Sequence, residues 1–376
     1  MSEAPIRVLM LVDGIGPDAG GGERMAIGLA GALARQGHRV TIVVTRGEDE
    51  PGSSRPELEA DGVRVIALHR PGRLGLRGFG PLRKLMRSED FDVLHSHKFG
   101  SNVWGVLFGR LHRVPVIVAH EQTWSYQGNP ARLLIDGVIG RLASVFVAVS
   151  SADRERMTSR ERVPARKTRL MLNAYVPRPQ PPEPGDLRAE LGLPAGTPIV
   201  GTAAVLRPQK ALGVLIDAFA ELSRSHPDAH LVIAGKGERR EKLGRVAADR
   251  GVAERTHFLG RREDIETLLE AFDVAAMSSD FEGTPLFAVE CMVHGTPLVA
   301  TRVGGLPDLI TDGVTGRLVP PRDPSALAAA LDELLSDPDR RLQLAEAARA
   351  RAAELEIDRV AERFAGLYSE LLGDRG

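Results

Sequence analysis

Pro177-Arg-Pro-Gln-Pro-Pro-Glu-Pro184 puts five prolines into eight residues. Proline lacks the backbone N–H and fixes φ, so such a run fits neither a helix interior nor a central strand. It reads as a semi-rigid linker, because one pattern of elements stops before it and restarts after it. Upstream, Ile6–Val12, His38–Val44, Val63–Leu68, Val93–His97, Val114–His120, Ser144–Ser150 and Thr168–Asn173 are short runs rich in Val, Ile and Leu. Downstream, Pro198–Ala204, His230–Gly235, Thr256–Gly260, Asp273–Ser279, Pro297–Thr301 and Gly316–Pro320 repeat the pattern. Apolar runs with little polar alternation are strands covered on both faces. Helical patterns such as Glu23–Gln36 and Asn102–Leu111 separate most of them. Repeated βα units build parallel sheets. The expectation is two Rossmann-like α/β domains, over 1–177 and 185–356, joined by the linker 178–184. Helical stretches at Pro324–Ser336, Asp339–Glu356 and Asp358–Leu372 finish the chain. In such sheets ligands bind beyond the carboxyl ends of the strands, so two domains predict a cleft between them.

The composition narrows the class. The 376 residues carry 49 basic and 50 acidic groups, a net charge of −1. That balance disfavours a general nucleic-acid binder. A single cysteine, Cys291, excludes an internal disulfide framework and a cysteine-based zinc site; it reads as a small packed helix residue. No apolar run approaches 18 residues, and the start lacks a signal-peptide layout. The expectation is a cytoplasmic protein. Only six of the 49 basic residues are lysines, so each lysine is more informative than each arginine.

Two loops carry chemistry. Asp13-Gly-Ile-Gly-Pro-Asp-Ala-Gly-Gly-Gly-Glu23 follows the first strand. Its Gly14-x-Gly16-x-x-Ala19 imitates a dinucleotide fingerprint, with Glu48 and Asp49 after the second strand. Pro17 and three consecutive glycines come before the helix, which is expected to begin near Glu23, so the geometry of a true fingerprint is broken. A Gly-rich loop at a helix N-terminus favours an anion; the alternative is a flexible turn. In the second half, Asp280-Phe-Glu-Gly-Thr-Pro-Leu-Phe-Ala-Val-Glu290 follows a strand. Pro285 suits a first helical turn, which puts Gly283 and Thr284 at another helix N-terminus. Glu282 sits in the loop and Glu290 on the helix. Gly304-Gly305 follows the next strand.

These residues resemble the retaining glycosyltransferases of family 4, whose fold is the two-domain GT-B type. Glu282-x7-Glu290 lies in Glu-Gly-Thr-Pro-Leu…Glu-Cys-Met…His-Gly-Thr-Pro-Leu-Val-Ala-Thr…Gly-Gly-Leu-Pro-Asp. Gly20-Gly-Gly-Glu23 is similar to the family's N-terminal Gly-Gly-x-Glu loop, and Leu206-Arg-Pro-Gln-Lys210 to its phosphate-binding segment. Gly235-Lys-Gly-Glu238 and Phe258-Leu-Gly260 fall where the family has short motifs. The resemblance implies transfer of a sugar from a nucleotide diphosphate, UDP in the leading reading, to an acceptor such as a lipid-linked saccharide, a polysaccharide precursor or a small metabolite. It implies that Lys210 neutralises the diphosphate and Glu290 holds the ribose hydroxyls. Glu282 and the backbone at Gly283, Thr284, Pro285 and Leu286 would lie near the donor sugar. Gly21 and Gly22 would approach the phosphates, and His120 the reacting sugar and acceptor. The last helix, 357–376, would pack back on the first domain.

The chain also departs from that pattern. Val205 stands where the family has arginine, so Arg207 and Arg302 are the candidates for a second cation. Ala211 replaces a usual glycine, and Asn173-Ala-Tyr replaces Asn-Gly. No metal and no cofactor beyond the nucleotide sugar are expected. Asp90-Phe-Asp92 precedes a strand and Asp337-Pro-Asp339 lies between helices, both the places of surface turns. His95-Ser-His97 shares one strand face but has no third ligand near it in sequence; His97 reads as facing the acceptor. Arg70–Arg87 carries six basic residues, no acidic one, and interleaved Leu74, Leu76, Phe79, Leu82, Leu85 and Met86. It reads as a solvated basic face, contact with an anionic membrane, or a site for an anionic acceptor. The competing functions are a nicotinamide-dependent oxidoreductase built on the Gly14 loop and a GT-B-like binding protein without turnover.

Overall fold

The computed structural model describes residues 4–16, 19–46, 52–68, 76–122, 129–177 and 185–374. Pro17, Glu48, Asp49, Arg70–Leu74 and the linker prolines after Pro177 lie outside the described residues. The chain divides into two units. The first joins Met1–Val176 to Leu355–Gly376, and the second is Pro177–Glu354.

In the first unit seven strands form one sheet: β1 (Arg7–Val12), β2 (Arg39–Val44), β3 (Arg64–Ala67), β4 (Val93–His97), β5 (Val116–Glu121), β6 (Val145–Ala148) and β7 (Thr168–Leu170). Their order is β3-β2-β1-β4-β5-β6-β7, and every pair is parallel. Val8, Leu9, Met10, Leu11 and Val12 are all buried, because helices cover both faces. The C-terminal helix Ile357–Gly373 is one of these covers. Its Ile357, Val360, Phe364, Leu367 and Tyr368 share a core with Met25 and Leu29 of the helix Gly21–Arg35. Polar ties add to this: Tyr175 N–H donates to the Leu355 carbonyl at 2.7 Å, and Arg35 Nη2 to Asp358 Oδ1 at 2.9 Å.

In the second unit the strands are β8 (Ile199–Ala203), β9 (His230–Ala234), β10 (Thr256–Gly260), β11 (Val274–Met277), β12 (Leu298–Thr301) and β13 (Arg317–Val319), in the order β10-β9-β8-β11-β12-β13. All its pairs are parallel too. Leu215, Phe219, Leu231, Ile233, Leu327 and Leu331 belong to its core. The expected α/β architecture of two parallel sheets is therefore the observed one, with strand ends shifted by up to three residues. Cys291 is fully buried in the helix Leu286–His294.

The two sheets share a consequence. In the first, the chain leaves β1 towards β2 on one side and returns to β4 on the other. In the second, β8 leads to β9 on one side and has β11 on the other. Each is a topological switch point, where loops diverge and open a crevice at the strand carboxyl ends.

Candidate active site

At the switch point of the second unit three loops meet. After β8, the turn Pro208–Lys210 runs into the helix Leu212–Leu222. Lys210 Nζ donates to Glu282 Oε1 at 2.6 Å, and Ser279 Oγ donates to the same oxygen at 2.6 Å. Glu282 Oε2 takes no hydrogen bond among the described residues. Backbone bonds lace the loops together. Asp280 N–H donates to the Gln209 carbonyl at 2.8 Å, and Gly305 N–H to the Gly283 carbonyl at 3.0 Å. Thr301 Oγ1 reaches the Ser279 carbonyl at 2.7 Å. Gly304 sits at φ +53, and a Cβ there would lie 1.7 Å from the Glu282 carbonyl oxygen. Only glycine lets that loop come so close.

The helix after β11 starts one residue later than Pro285 as a first-turn residue would require. Its first residue is Leu286, and Pro285 is the N-cap with ψ 125°. Gly283 and Thr284 thus precede the cap. Glu290 is buried on that helix at 5% exposure. Of the two candidate cations, Arg302 is engaged with Asp312 at 2.9 Å, whereas Arg207 is exposed and forms no ion pair among the described residues. Ala211 adopts φ +45, ψ +35, the left-handed conformation that the family's glycine would take without strain.

At the switch point of the first unit, the helix Gly21–Arg35 begins at Gly21 rather than near Glu23, so Gly21 and Gly22 lie in its first turn. Gly22 is packed closely: a Cβ would meet Gln122 Cβ and Lys98 Cε, both at 2.9 Å. Lys98 holds φ +66 at the junction of β4 with its helix, and its Nζ pairs with Glu23. A non-glycine residue in that conformation costs of order 1–3 kcal/mol and clusters at functional sites. Asp13, just after β1, accepts from Ser101 Oγ at 2.8 Å and faces Arg46 at 3.7 Å.

His120 ends in the same place. Its backbone is clamped by buried Asn102, which accepts from His120 N–H and donates to its carbonyl, both at 3.2 Å. The parallel register puts His97 of β4 opposite His120 of β5. His95 and His97 have no third ligand near them in sequence but gain one in space: the ring nitrogens of His95, His97 and His120 lie within 4.8 Å of one another. Sequence distance concealed this, since sheet pairing and not chain proximity supplies the third ring. His97 and His120 are both buried, at 2% and 0% exposure. The group holds three imidazoles and no carboxylate, and His95 Nε2 and His120 Nδ1 face each other at 3.2 Å, a hydrogen-bond distance. Burial pushes His120 down to about 3; burial, then the neighbouring rings, put His95 and His97 well below the usual range. All three are neutral at pH 7.

Next to His120, buried Glu121 pairs with Arg132 at 2.9 Å, and Arg132 also holds Asp136 at 2.6 Å. Burial raises the Glu121 carboxyl to about 7, with Arg132 opposing. Asp92 binds Arg7 at 2.7 Å, at the opposite end of the sheet, and Asp337 caps the helix Pro338–Ala352. Neither Asp-x-Asp pair is near these loops. Ser279, Lys98, Asn102, Gln122 and Tyr368 complete the two clusters, and no motif marks any of them in the sequence.

Known proteins share both the sequence and the fold. The family described as Glycosyltransferase Family 4 matches residues 19–176, and Glycosyl transferases group 1 matches 185–351. A D-inositol 3-phosphate glycosyltransferase of Corynebacterium urealyticum is 30% identical over 308 residues, covering 75% of this chain and 72% of the relative. The same-named protein of Nocardia farcinica is 34% identical over 306 residues, covering 75% and 67%. An alpha-D-kanosaminyltransferase of Streptomyces kanamyceticus is 29% identical over 311 residues, covering 77% and 80%. Among solved structures, Anabaena Alr3699/HepE in complex with UDP and glucose superposes with a TM-score of 0.81 at 23% identity, covering 97% of this chain and all of the other. A sucrose-phosphate synthase from Thermosynechococcus elongatus also gives 0.81, at 22% identity and 98% coverage of this chain.

Proposed function

This chain belongs to the glycosyltransferases of family 4 and has the GT-B fold, and from that premise we propose that it moves a sugar from a UDP-sugar to a small polyhydroxylated acceptor, with retention at the anomeric carbon. The observation that carries this reading is the Lys210–Glu282–Ser279 cluster at the switch point of the second sheet. A departing nucleoside diphosphate gains negative charge, which needs a cation and preorganised N–H groups aimed at it. Lys210 supplies the cation and Arg207 the second one in place of the arginine missing at Val205. Gly283, Thr284, Pro285 and Leu286 bring backbone against the donor, and Glu282 Oε2 accepts from sugar hydroxyls. Glu290 holds the ribose. In the first unit Gly21 and Gly22 approach the phosphates, while His120 faces the reacting sugar. The acceptor class follows the inositol phosphate named for the relatives. No metal enters this account.

Lys210→Ala lowers turnover by roughly 10²–10³, the loss expected on removing one preorganised transition-state donor. UDP release from UDP-glucose or UDP-N-acetylglucosamine measures it. Turnover near that of the unaltered protein would remove Lys210 from the site.

A second reading, for a lipid-linked acceptor, is favoured by the outer face of the first unit. The helix Gly80–Ser88 buries Leu82, Leu85 and Met86 and exposes Arg83, Lys84 and Arg87. These three cations line a cavity of about 460 Å³ and form no ion pair among the described residues. Leu107 and Leu111 on one helix, and Leu134, Val138 and Leu142 on the next, are 44–70% exposed. Cations beside apolar side chains suit an anionic bilayer surface, at about 1 kcal/mol per basic residue. No described helix is long and apolar enough to cross a membrane. Vesicles containing phosphatidylglycerol should bind the protein at low salt and release it near 1 M, where the Debye length is about 3 Å. Changing Arg83, Lys84 and Arg87 to Glu should abolish binding. No binding at low salt eliminates this second reading.

A further inference from the structure

The loop after β13 reaches back over β12 to the Glu282 loop. Its sequence, Pro320-Pro-Arg-Asp-Pro324, leaves the chain little freedom. Each proline fixes its own φ, and Asp323 caps the helix Pro324–Ser336 by accepting from Ala326 N–H at 2.9 Å. Between them Arg322 is held at φ +61, a left-handed conformation that L side chains disfavour. Its guanidinium is bidentate on one carboxylate: Nε donates to Asp280 Oδ1 at 2.8 Å and Nη2 to Asp280 Oδ2 at 3.1 Å. The Arg322 side chain is 75% exposed, so the disfavoured backbone gains no core burial in return.

Asp280 is a junction of the second unit's site. Its N–H donates to the carbonyl of Gln209, the neighbour of Lys210, at 2.8 Å. Two residues earlier, Ser278 Oγ donates to the Lys210 carbonyl at 3.0 Å and lies 3.1 Å from that of Ala211. Two residues later, Glu282 accepts from Lys210 Nζ. The segment is thus laced to the loop of β8 on one side, while the Asp280 carboxylate ties it to the loop of β13. Exposed ion pairs usually contribute little, because two long side chains must be ordered to make one contact. Here the stiff loop already presents the guanidinium, and the paired N–H···O bonds fix its orientation. A left-handed arginine persists only where its surroundings over-determine it, and such residues cluster at functional sites.

We propose that Arg322 is a positioning residue for the donor loop: by gripping Asp280 across β12 it fixes the segment that carries Glu282 against the Lys210 turn, without itself touching the nucleotide sugar. What the loop binds rests on the function proposed above; the grip on the loop does not.

The test compares Arg322→Gly, Asp280→Ala and the double variant in the full chain. Glycine accepts the φ of +61 without strain, so the first variant removes the guanidinium and leaves the backbone its conformation. Each single variant should lower kcat/KM for UDP-glucose by about fivefold, the scale of one well-formed exposed ion pair. The double variant should fall no further than the lower of the two singles, because both remove the same contact. Arg322→Lys keeps the charge but not the fork, and should behave like Arg322→Gly. Hydrogen exchange of the amides at 280–284 should quicken in Arg322→Gly while that of the helix Pro324–Ser336 stays unchanged. Losses that multiply in the double variant would mean that Arg322 acts on the substrate directly, and would overturn the proposal. Unchanged kcat/KM in Arg322→Gly, or unchanged exchange at 280–284, would overturn it as well. Faster exchange throughout the helix Pro324–Ser336 would make the pair a general structural tie, with the same consequence. If the unaltered protein releases no UDP from any UDP-sugar, the proposed function fails, and the exchange measurement still decides the role of Arg322.

Discussion

Gly304→Ala isolates the role of loop packing at the second unit's site. The new Cβ would sit 1.7 Å from the Glu282 carbonyl oxygen and 2.7 Å from its carbon, both backbone atoms that no rotamer change can move aside. Real contacts begin near 3.0 Å, so the two loops must separate by about 1.3 Å. The φ of +53 adds a left-handed alanine, about 1–2 kcal/mol. Forcing the contact adds about 1–3 kcal/mol more. The separation also stretches the Gly305–Gly283 bond and carries Glu282 away from Lys210. Misplacing a reacting constellation by about 1 Å costs on the order of 10² in rate. The expected outcome is a loss of about 10² in kcat/KM for the nucleotide sugar, together with a Tm lower by several degrees. Gly366→Ala is the control. Gly366 is an exposed interior position of the C-terminal helix with nothing within 4 Å of a Cβ. The same chemical change there should stabilise by about 0.5–1 kcal/mol and leave kcat/KM alone. A Gly304→Ala enzyme with unchanged kcat/KM and Tm would refute the reasoning, because both costs come from one measured proximity.

Ala211→Gly should stabilise by about 0.5–1 kcal/mol in thermal unfolding, as relief of the left-handed alanine exceeds glycine's extra chain entropy; a lower Tm contradicts the strain at φ +45. Exhaustive chelation should leave turnover intact, and activity abolished by it and restored by magnesium or manganese would reverse that expectation. His95, His97 and His120 should remain neutral from pH 8 to pH 5, because burial depresses all three. Their stabilising contribution is complete above about 6.5 and declines as pH falls below it, since the unfolded chain then binds protons that the folded chain refuses. Glu121 and Glu161, raised to about 7, act with the opposite sign between about 4.5 and 7. Among these five groups the histidines outnumber the carboxylates, so together they lower stability as pH falls below about 6.5. Ring resonances of these histidines that titrate with a midpoint near 6.5 would contradict the burial argument.

The sheet architecture was legible because both faces of each strand are covered. Val8–Val12 and Leu231–Ala234 read as unbroken apolar runs for that reason. The Lys210 segment and the Glu282 loop were legible as strand-end motifs, although their direct ion pair was not. That pair spans 72 residues and depends on β8 and β11 being neighbours. The histidine cluster was half legible. His95 and His97 share a strand face, but His120 joins them through parallel register and Tyr368 through a contact 273 residues away. Positive φ at Ala211 and Lys98 left no trace, since neither residue type signals the left-handed region. The helix beginning at Gly21 was displaced in the reading because glycine is a poor helix former. Here its lack of a Cβ is what allows the first turn to lie against Gln122 and Lys98.

The central claim is retaining transfer from a UDP-sugar. Its most direct test is the anomeric configuration of the product formed by the full chain from α-configured UDP-glucose or UDP-N-acetylglucosamine labelled with ¹³C at C1, with D-inositol 3-phosphate among the acceptors. The one-bond C1–H1 coupling of the product reads the configuration directly. The account predicts an α-linked product and UDP release that depends on Lys210. A β-linked product, or the absence of transfer from every UDP-sugar offered, would contradict it.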